Sequence, residues 1–232
     1  MNKFDFQIDV IRTDRKKSVS IQLEGELVKV IVPRLLSDGR INSLIKKRTP
    51  WIKTKLKEYS QRPSVMPKKY IDGEIFPYLG KNYCLKVEVG DDSSIKMKNG
   101  YFLTTIPKTE EDTNKQVKHL LMGWYQSHAE KHLKEKTDRL SELVGASPAS
   151  VSIKNYKSRW GSCSSNGVID YNWRIILAPH YIIDYVVVHE LCHLLEHNHS
   201  PKYWRIVEKI TPNWKNYRDW LRHNSDILKH SI

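Results

Sequence analysis

The sequence predicts an α+β fold, and three observations carry that prediction. Period-two alternation dominates the first third of the chain. Helical periodicity takes over from about residue 111. A second strand region at 151–178 then gives way to helical patterning that runs to the end. Strands grouped before helices argue against a βαβ alternation and its parallel sheet. The 232 residues suffice for one domain or two small ones. With 39% hydrophobic and 28% charged residues, the chain is set apart from disordered and fibrous sequences.

The elements follow in order. Val19–Leu23 and Leu27–Val32 alternate as strands, and Pro33 stops the second. A helical stretch covers Ile41–Arg48. Thr49-Pro50 then reads as the cap and first residue of a separate helix over Trp51–Tyr59, because proline lacks only a donor that is orphaned there anyway. Residues 61–105 read as short strands divided by turns at Asp72-Gly73, Leu79-Gly80 and Asn99-Gly100. From Glu111 to Val144 the apolar positions Val117, Leu120, Leu121, Trp124, Leu133 and Leu140 recur at helical spacing, and Gly145 supplies the stop. Within 151–178 a hairpin turn is expected at Ser165-Asn166-Gly167. Helices are expected over His180 to about His197, Ser200–Ile210 and Trp214–Leu228. A boundary near residue 106 divides a basic, β-rich part (1–105) from a part that holds the chemistry (106–232), unless the two form one domain.

Lysine and arginine number 39 against 26 acidic residues, a net charge of +13. The first 75 residues hold 17 basic and 9 acidic side chains, with clusters at Arg15-Lys16-Lys17 and Lys46-Lys47-Arg48. Such a surplus suits polyanions, so nucleic-acid association is a candidate partner class, although charge alone names none. Apolar runs such as Tyr185–Val188 are far too short to cross a bilayer, so no membrane is expected. Cys84, Cys163 and Cys192 cannot all pair with one another, and no signal-peptide pattern opens the chain. Reduced thiols and a cytoplasmic location are therefore expected.

The strongest chemical signal is His189-Glu190-Leu191-Cys192-His193, an H-E-x-x-H on a helix. Residues four apart share a helical face, so the two imidazoles can converge on one cation. Glu190 is turned by about 100° from His189, where a carboxylate can take a proton without serving as a ligand. A third ligand is needed, and His197, His199 and Glu208 are the candidates. If the helix persisted, His197 would lie about 12 Å along its axis from His189, out of reach. His199 fits better. A left-handed Asn198 would end the helix and swing the next side chain back, before Ser200-Pro201 opens another helix. Glu208 stands for the solution in which a following helix supplies a carboxylate.

The spacing of His189, His193 and His199 equals that of metzincin peptidases. However, Glu196 occupies their glycine position and no methionine follows the motif to form their Met-turn. The chain instead resembles the YgjP-like metal-dependent hydrolases, relatives of the WLM and SprT-like zincins. The resemblance lies in Val188–Leu194, Asn198–Trp204, Ser158–Ser164 and Asn172–Pro179, and more weakly in Arg12–Pro33 and Trp51–Leu56. It implies a compact zincin-like domain with His189, His193 and His199 as zinc ligands and Glu190 as catalytic acid/base.

Zinc-dependent peptide hydrolysis is thus the leading expectation. The resemblance leaves open a nucleotide (UTP) pyrophosphohydrolase, and a non-enzymatic, nucleic-acid-associated zinc module is the third possibility. Val168–Asn172 has the strand character expected of a cleft edge to which an extended peptide adds. Arg159 is a candidate for neutralising a substrate carboxylate or phosphate, or else part of a structural corner at Arg159-Trp160-Gly161. Tyr203 is a candidate donor to a developing oxyanion, or else packs on the histidine helix. Cys192 reads as a small buried residue, His128 and His132 as bystanders on the long helix, and Trp204, Trp214 and Trp220 as core anchors. No Walker loop, GxGxxG or CxxC pair is present.

Overall fold

The computed structural model describes residues 4–60, 67–108 and 112–232, and it is α+β with five helices and three sheets among them. Residues 61–66, where the second strand region was expected to open, and Glu111, the expected start of the long helix, lie outside that set. The chain divides into two compact units, Met1–Ser64 and Val65–Ile232. The expected boundary near 106 falls inside the second, between a strand and a helix that pack together.

In the first unit, β1 (Ile8–Thr13) pairs parallel and β2 (Ser20–Glu24) antiparallel with the central β3 (Leu27–Pro33). β1 was not anticipated. Val28, Val30 and Val32 alternate onto the buried face of β3 and share a core with Ile41, Ile45 and Ile52 of helix α1 (Asp38–Ser60). That shared face corrects the expectation of two helices broken at Pro50. The three isoleucines bury both halves against one sheet, and the proline rides inside a continuous helix. Thr49 and Thr54 satisfy nearby carbonyls, their hydroxyls donating to Ile45 O (3.0 Å) and Pro50 O (3.1 Å).

In the second unit, β4 (Ile75–Tyr78), β5 (Lys81–Gly90), β6 (Ser94–Lys98) and β7 (Tyr101–Pro107) form a sheet of order β4-β5-β7-β6. Helix α2 (Thr113–Val144) packs on it, capped by Asp112, which accepts from the Lys115 N–H at 3.1 Å. Gly145 ends α2 as expected, in a left-handed conformation (φ 76°) with its N–H on Ser141 O. A smaller sheet follows, with β8 (Ser150–Lys154), β9 (Gly161–Cys163) and β10 (Val168–Asn172) in the order β8-β10-β9. The chain then makes a 3-10 turn over Trp173–Leu177 in place of continued strand, and continues into α3 (His180–Cys192), α4 (Pro201–Ile210) and α5 (Trp214–His230).

Helix α3 is the centre of this unit. Ile182, Ile183, Val186, Val187, Val188, Leu191 and Cys192 are all buried, so the helix is enclosed by protein nearly all round. Its approach is fixed from the larger sheet. At the β4–β5 turn, the Leu79 and Gly80 N–H groups donate to Ile176 O (2.9 Å) and Leu177 O (3.3 Å), just ahead of the helix. Gly80 sits at φ +78°, and a Cβ there would come within 2.8 Å of Pro179 Cα, so only glycine fits that contact. On its other side α3 is tied to α2 by the Lys136–Asp184 ion pair, joined by Arg139 at 3.5 Å. Among the described residues, no helix is long and apolar enough to cross a membrane.

Candidate metal centre

Helix α3 presents His189 near its end, and His193 is its C-cap. The helix stops at Cys192, earlier than the expected His197, and the chain turns through residues 193–200 before α4. That early stop brings His199 back. One ring nitrogen from each of His189, His193 and His199 lies within 4.8 Å of the others, and His189 Nε2 and His199 Nε2 are 3.1 Å apart. Neither His197 nor Glu208 joins this cluster. Asn198 does not take the expected left-handed conformation. Ser200 caps α4 as expected, accepting the Tyr203 N–H at 3.2 Å, with Pro201 at the first helical position.

The imidazoles are held from behind. The His193 ring faces Glu196 O through Nδ1 at 3.2 Å, which leaves Nε2 for the cluster. The Tyr203 ring stacks on His193 at 4.5 Å, and its hydroxyl donates to His189 O at 2.9 Å. Tyr203 is fully buried. Its hydroxyl thus donates to the backbone of α3. Trp204 stacks on His199 at 5.4 Å and on Trp214 at 4.1 Å, an arrangement that spacing alone did not reveal.

Electrostatics favour neutral imidazoles. Burial, with His193 and His199 adding like-charge repulsion, pushes His189 down to about 3. Burial also lowers His193 and His199. His189 Nδ1 is a buried nitrogen with no hydrogen-bond partner among the described residues. Three neutral nitrogen donors converging at this range fit a divalent cation of the zinc type.

Glu190 lies beside the cluster and is 5% exposed. Burial pushes its carboxyl up to about 8, opposed by the charge of Arg159. Its carboxylate packs on the backbone of Gly161, the first residue of β9. A Cβ at that position would lie 2.5 Å from Glu190 Oε1. Glycine thus serves there as space for the carboxylate, where the sequence had suggested only a structural corner.

The smaller sheet also differs from expectation. β10 is paired on both sides, parallel to β8 and antiparallel to β9, so it cannot accept a further strand. The strand at the sheet edge beside Glu190 is β9. Asn172, fully buried, organises the loop before it by donating from Nδ2 to Tyr156 O (2.8 Å) and Arg159 O (3.1 Å). That loop places Arg159 over the Tyr156 ring at 4.9 Å. A cavity of about 350 Å³ joins these parts, lined by Arg159, Gly161, Tyr185, His189, Glu190 and Arg218 among others. Cys192 is buried as expected. His128 stacks on Trp124 and His132 faces His180, both apart from the cluster.

An α+β domain of this kind falls among the metallopeptidase-type hydrolases. Residues 17–224 match the family described as YgjP-like, metallopeptidase domain, and the chain belongs to that family. Among solved structures, the chain is similar to the metallopeptidase zymogen abylysin of Pyrococcus abyssi, at 23% identity and a TM-score of 0.37 over 43% of this chain and 99% of that one. It is also similar to the metallopeptidase zymogen jannalysin of Methanocaldococcus jannaschii, at 19% identity and a TM-score of 0.35 over 43% of this chain and 97% of that one. No curated protein matches the chain.

Proposed function

We propose that the chain is a zinc-dependent metallopeptidase in which His189, His193 and His199 hold the ion and Glu190 is the general base. The observation that carries this reading is the convergence of three imidazole nitrogens within 4.8 Å beside a buried carboxyl. The family description favours peptide substrates over nucleotides.

Zinc, when bound, supplies Lewis acidity that polarises the scissile carbonyl and lowers the pKa of water. The protein's own groups do the rest. His193, through Nδ1 on Glu196 O, presents Nε2 in a fixed orientation. Tyr203 anchors the backbone of His189, and Trp204 backs the exposed His199 ring. Glu190 accepts the proton of the attacking water on a carboxylate oxygen and delivers it to the departing amine nitrogen. Burial raises this carboxyl in the metal-free protein, and a cation on the three histidines would draw it back toward the ionised form that accepts a proton. The place of β9 at the edge of its sheet supports an extended substrate adding as a strand next to Glu190.

The test is direct. Purified protein should carry about one zinc per chain. Glu190→Gln should retain that zinc and lose peptide hydrolysis by at least about 10²-fold, the usual weight of a general base. Normal turnover by the Gln variant, or protein that neither holds zinc nor responds to it, would overturn the reading.

A further inference from the structure

The cavity beside His189 and Glu190 has an unusual charge lining. Arg159 enters it from the loop before β9, and Arg218 and Arg222 enter from α5. Among the described residues, Glu190, itself buried, is the only carboxylate along its walls. Arg218 and Arg222 are four residues apart on α5, so both guanidiniums lie on the face of the helix that lines the cavity. Two of the arginines lie against aromatic rings, and the third pairs with an acid on its own helix. Arg159 lies over Tyr156, whose hydroxyl donates to Asp170 at 2.7 Å. Arg218 lies over the Trp204 and Trp214 rings at 5.4 and 4.9 Å, and Arg222 meets Asp219 at 3.5 Å. The loop and α5 are joined across the cavity by the Trp160 Nε1–H, which donates to Ser225 at 3.2 Å. The planar guanidiniums of Arg159 and Arg218, set against aromatic faces, suit the two oxygens of a carboxylate.

We propose that Arg159, Arg218 and Arg222 form an anion-binding subsite of the cleft, so that the preferred substrate is a peptide bearing a carboxylate next to the scissile bond. The proposal rests on the peptidase reading above and extends it to specificity. The carboxylate can belong to an acidic side chain or to the substrate's own C-terminus, since both offer the same group to the arginines.

The experiment uses the zinc-loaded full chain and matched peptides. One arm compares Glu with Gln at each position flanking the cleaved bond, with amidated ends. The other compares free with amidated C-termini on the Gln peptides. The carboxylate-bearing member of one arm should be cleaved with at least tenfold higher kcat/KM, and the arm that responds identifies the source. That ratio should fall toward one in Arg159→Gln/Arg218→Gln and with rising salt, and Arg159→Glu should move the preference toward a Lys peptide. Equal kcat/KM across all pairs would overturn the subsite and leave the peptidase reading standing. If no peptide is cleaved, the peptidase reading fails instead, and binding decides the subsite. Labelled Glu and Gln peptides are then titrated onto the Glu190→Gln protein. At least tenfold tighter binding of the Glu peptide supports the subsite. Equal binding overturns it, as does displacement by a nucleoside triphosphate at concentrations where the acidic peptide has no effect.

Discussion

Replacing Gly161 with alanine separates the proposed acid–base group from the metal ligands. The new methyl carbon would lie 2.5 Å from Glu190 Oε1, 2.7 Å from Cγ and 2.8 Å from Cδ, whereas ordinary contact begins at 3.4 Å. The carboxylate oxygen must therefore retreat by about 0.9 Å, the difference between 3.4 and 2.5 Å. Helix α3 is packed on nearly every side, so Glu190 has to leave its rotamer rather than carry the helix with it. Overpacking of this kind costs about 1–3 kcal/mol of stability. A displacement of about 1 Å in a catalytic group costs on the order of 10²-fold in rate. The three atoms nearest the new carbon all belong to Glu190, and none belongs to His189, His193 or His199. The expected result is a modest drop in melting temperature, unchanged zinc stoichiometry, and a fall in kcat of about 10²-fold with KM little altered. Peptide hydrolysis, metal analysis and a thermal melt on one preparation read all three. A folded variant with zinc bound and kcat within about threefold of the parent would refute the placement of Glu190 as base.

Three further outcomes are expected. Tyr203→Phe removes the hydrogen bond to His189 O and should cost about 1 kcal/mol of stability. Its activity should fall by less than about tenfold, whereas loss of a true oxyanion donor costs about 10²–10³-fold; steady-state kinetics decide between the two. Trp204→Ala strips the stacked face from His199 and should weaken zinc retention by about 10–100-fold, as loss of ligand support does elsewhere, measured by competition with a chelator. In metal-free protein the raised pKa of Glu190 has a signed consequence. Its stabilising contribution is present below the ordinary carboxyl value of 4.5 and is lost as pH rises through about 8. Thermal melts should therefore show Glu190→Gln more stable than the parent at pH values above about 8 and alike below about 4.5. An equal gap in both ranges would contradict that sign.

Much of the architecture was legible because it is written in period and punctuation. Helix α2 shows its apolar stripe and its Gly145 stop, and the Leu79-Gly80 and Asn99-Gly100 turns appear at strand ends with positive φ. What escaped was decided by tertiary contact. Pro50 looks like a helix start until Ile41, Ile45 and Ile52 are seen to share one core, which overrides the local signal. Leu194 and Leu195 prolong the apolar pattern past the point where α3 ends, so the return of His199 had to be argued from reach rather than from a visible stop. In the candidate metal centre, spacing brought the three histidines together on paper, and their ring nitrogens do converge. No period encodes Gly161 as space for Glu190, Trp204 as the backing of His199, or β9 instead of β10 at the sheet edge. Those facts join residues far apart in sequence or differing only in which neighbour they meet.

The turn between β4 and β5 acts as a buttress for the histidine helix, since its two amide groups hold the carbonyls of Ile176 and Leu177 and its glycine seats against Pro179. Cutting the chain at 106 would strip away that prop along with the sheet that bears it, leaving two carbonyls without those donors immediately upstream of α3. The compact unit Val65–Ile232 keeps that turn and α3 together. A miniaturised catalyst trimmed to the motif-bearing half would start from a loosened foundation.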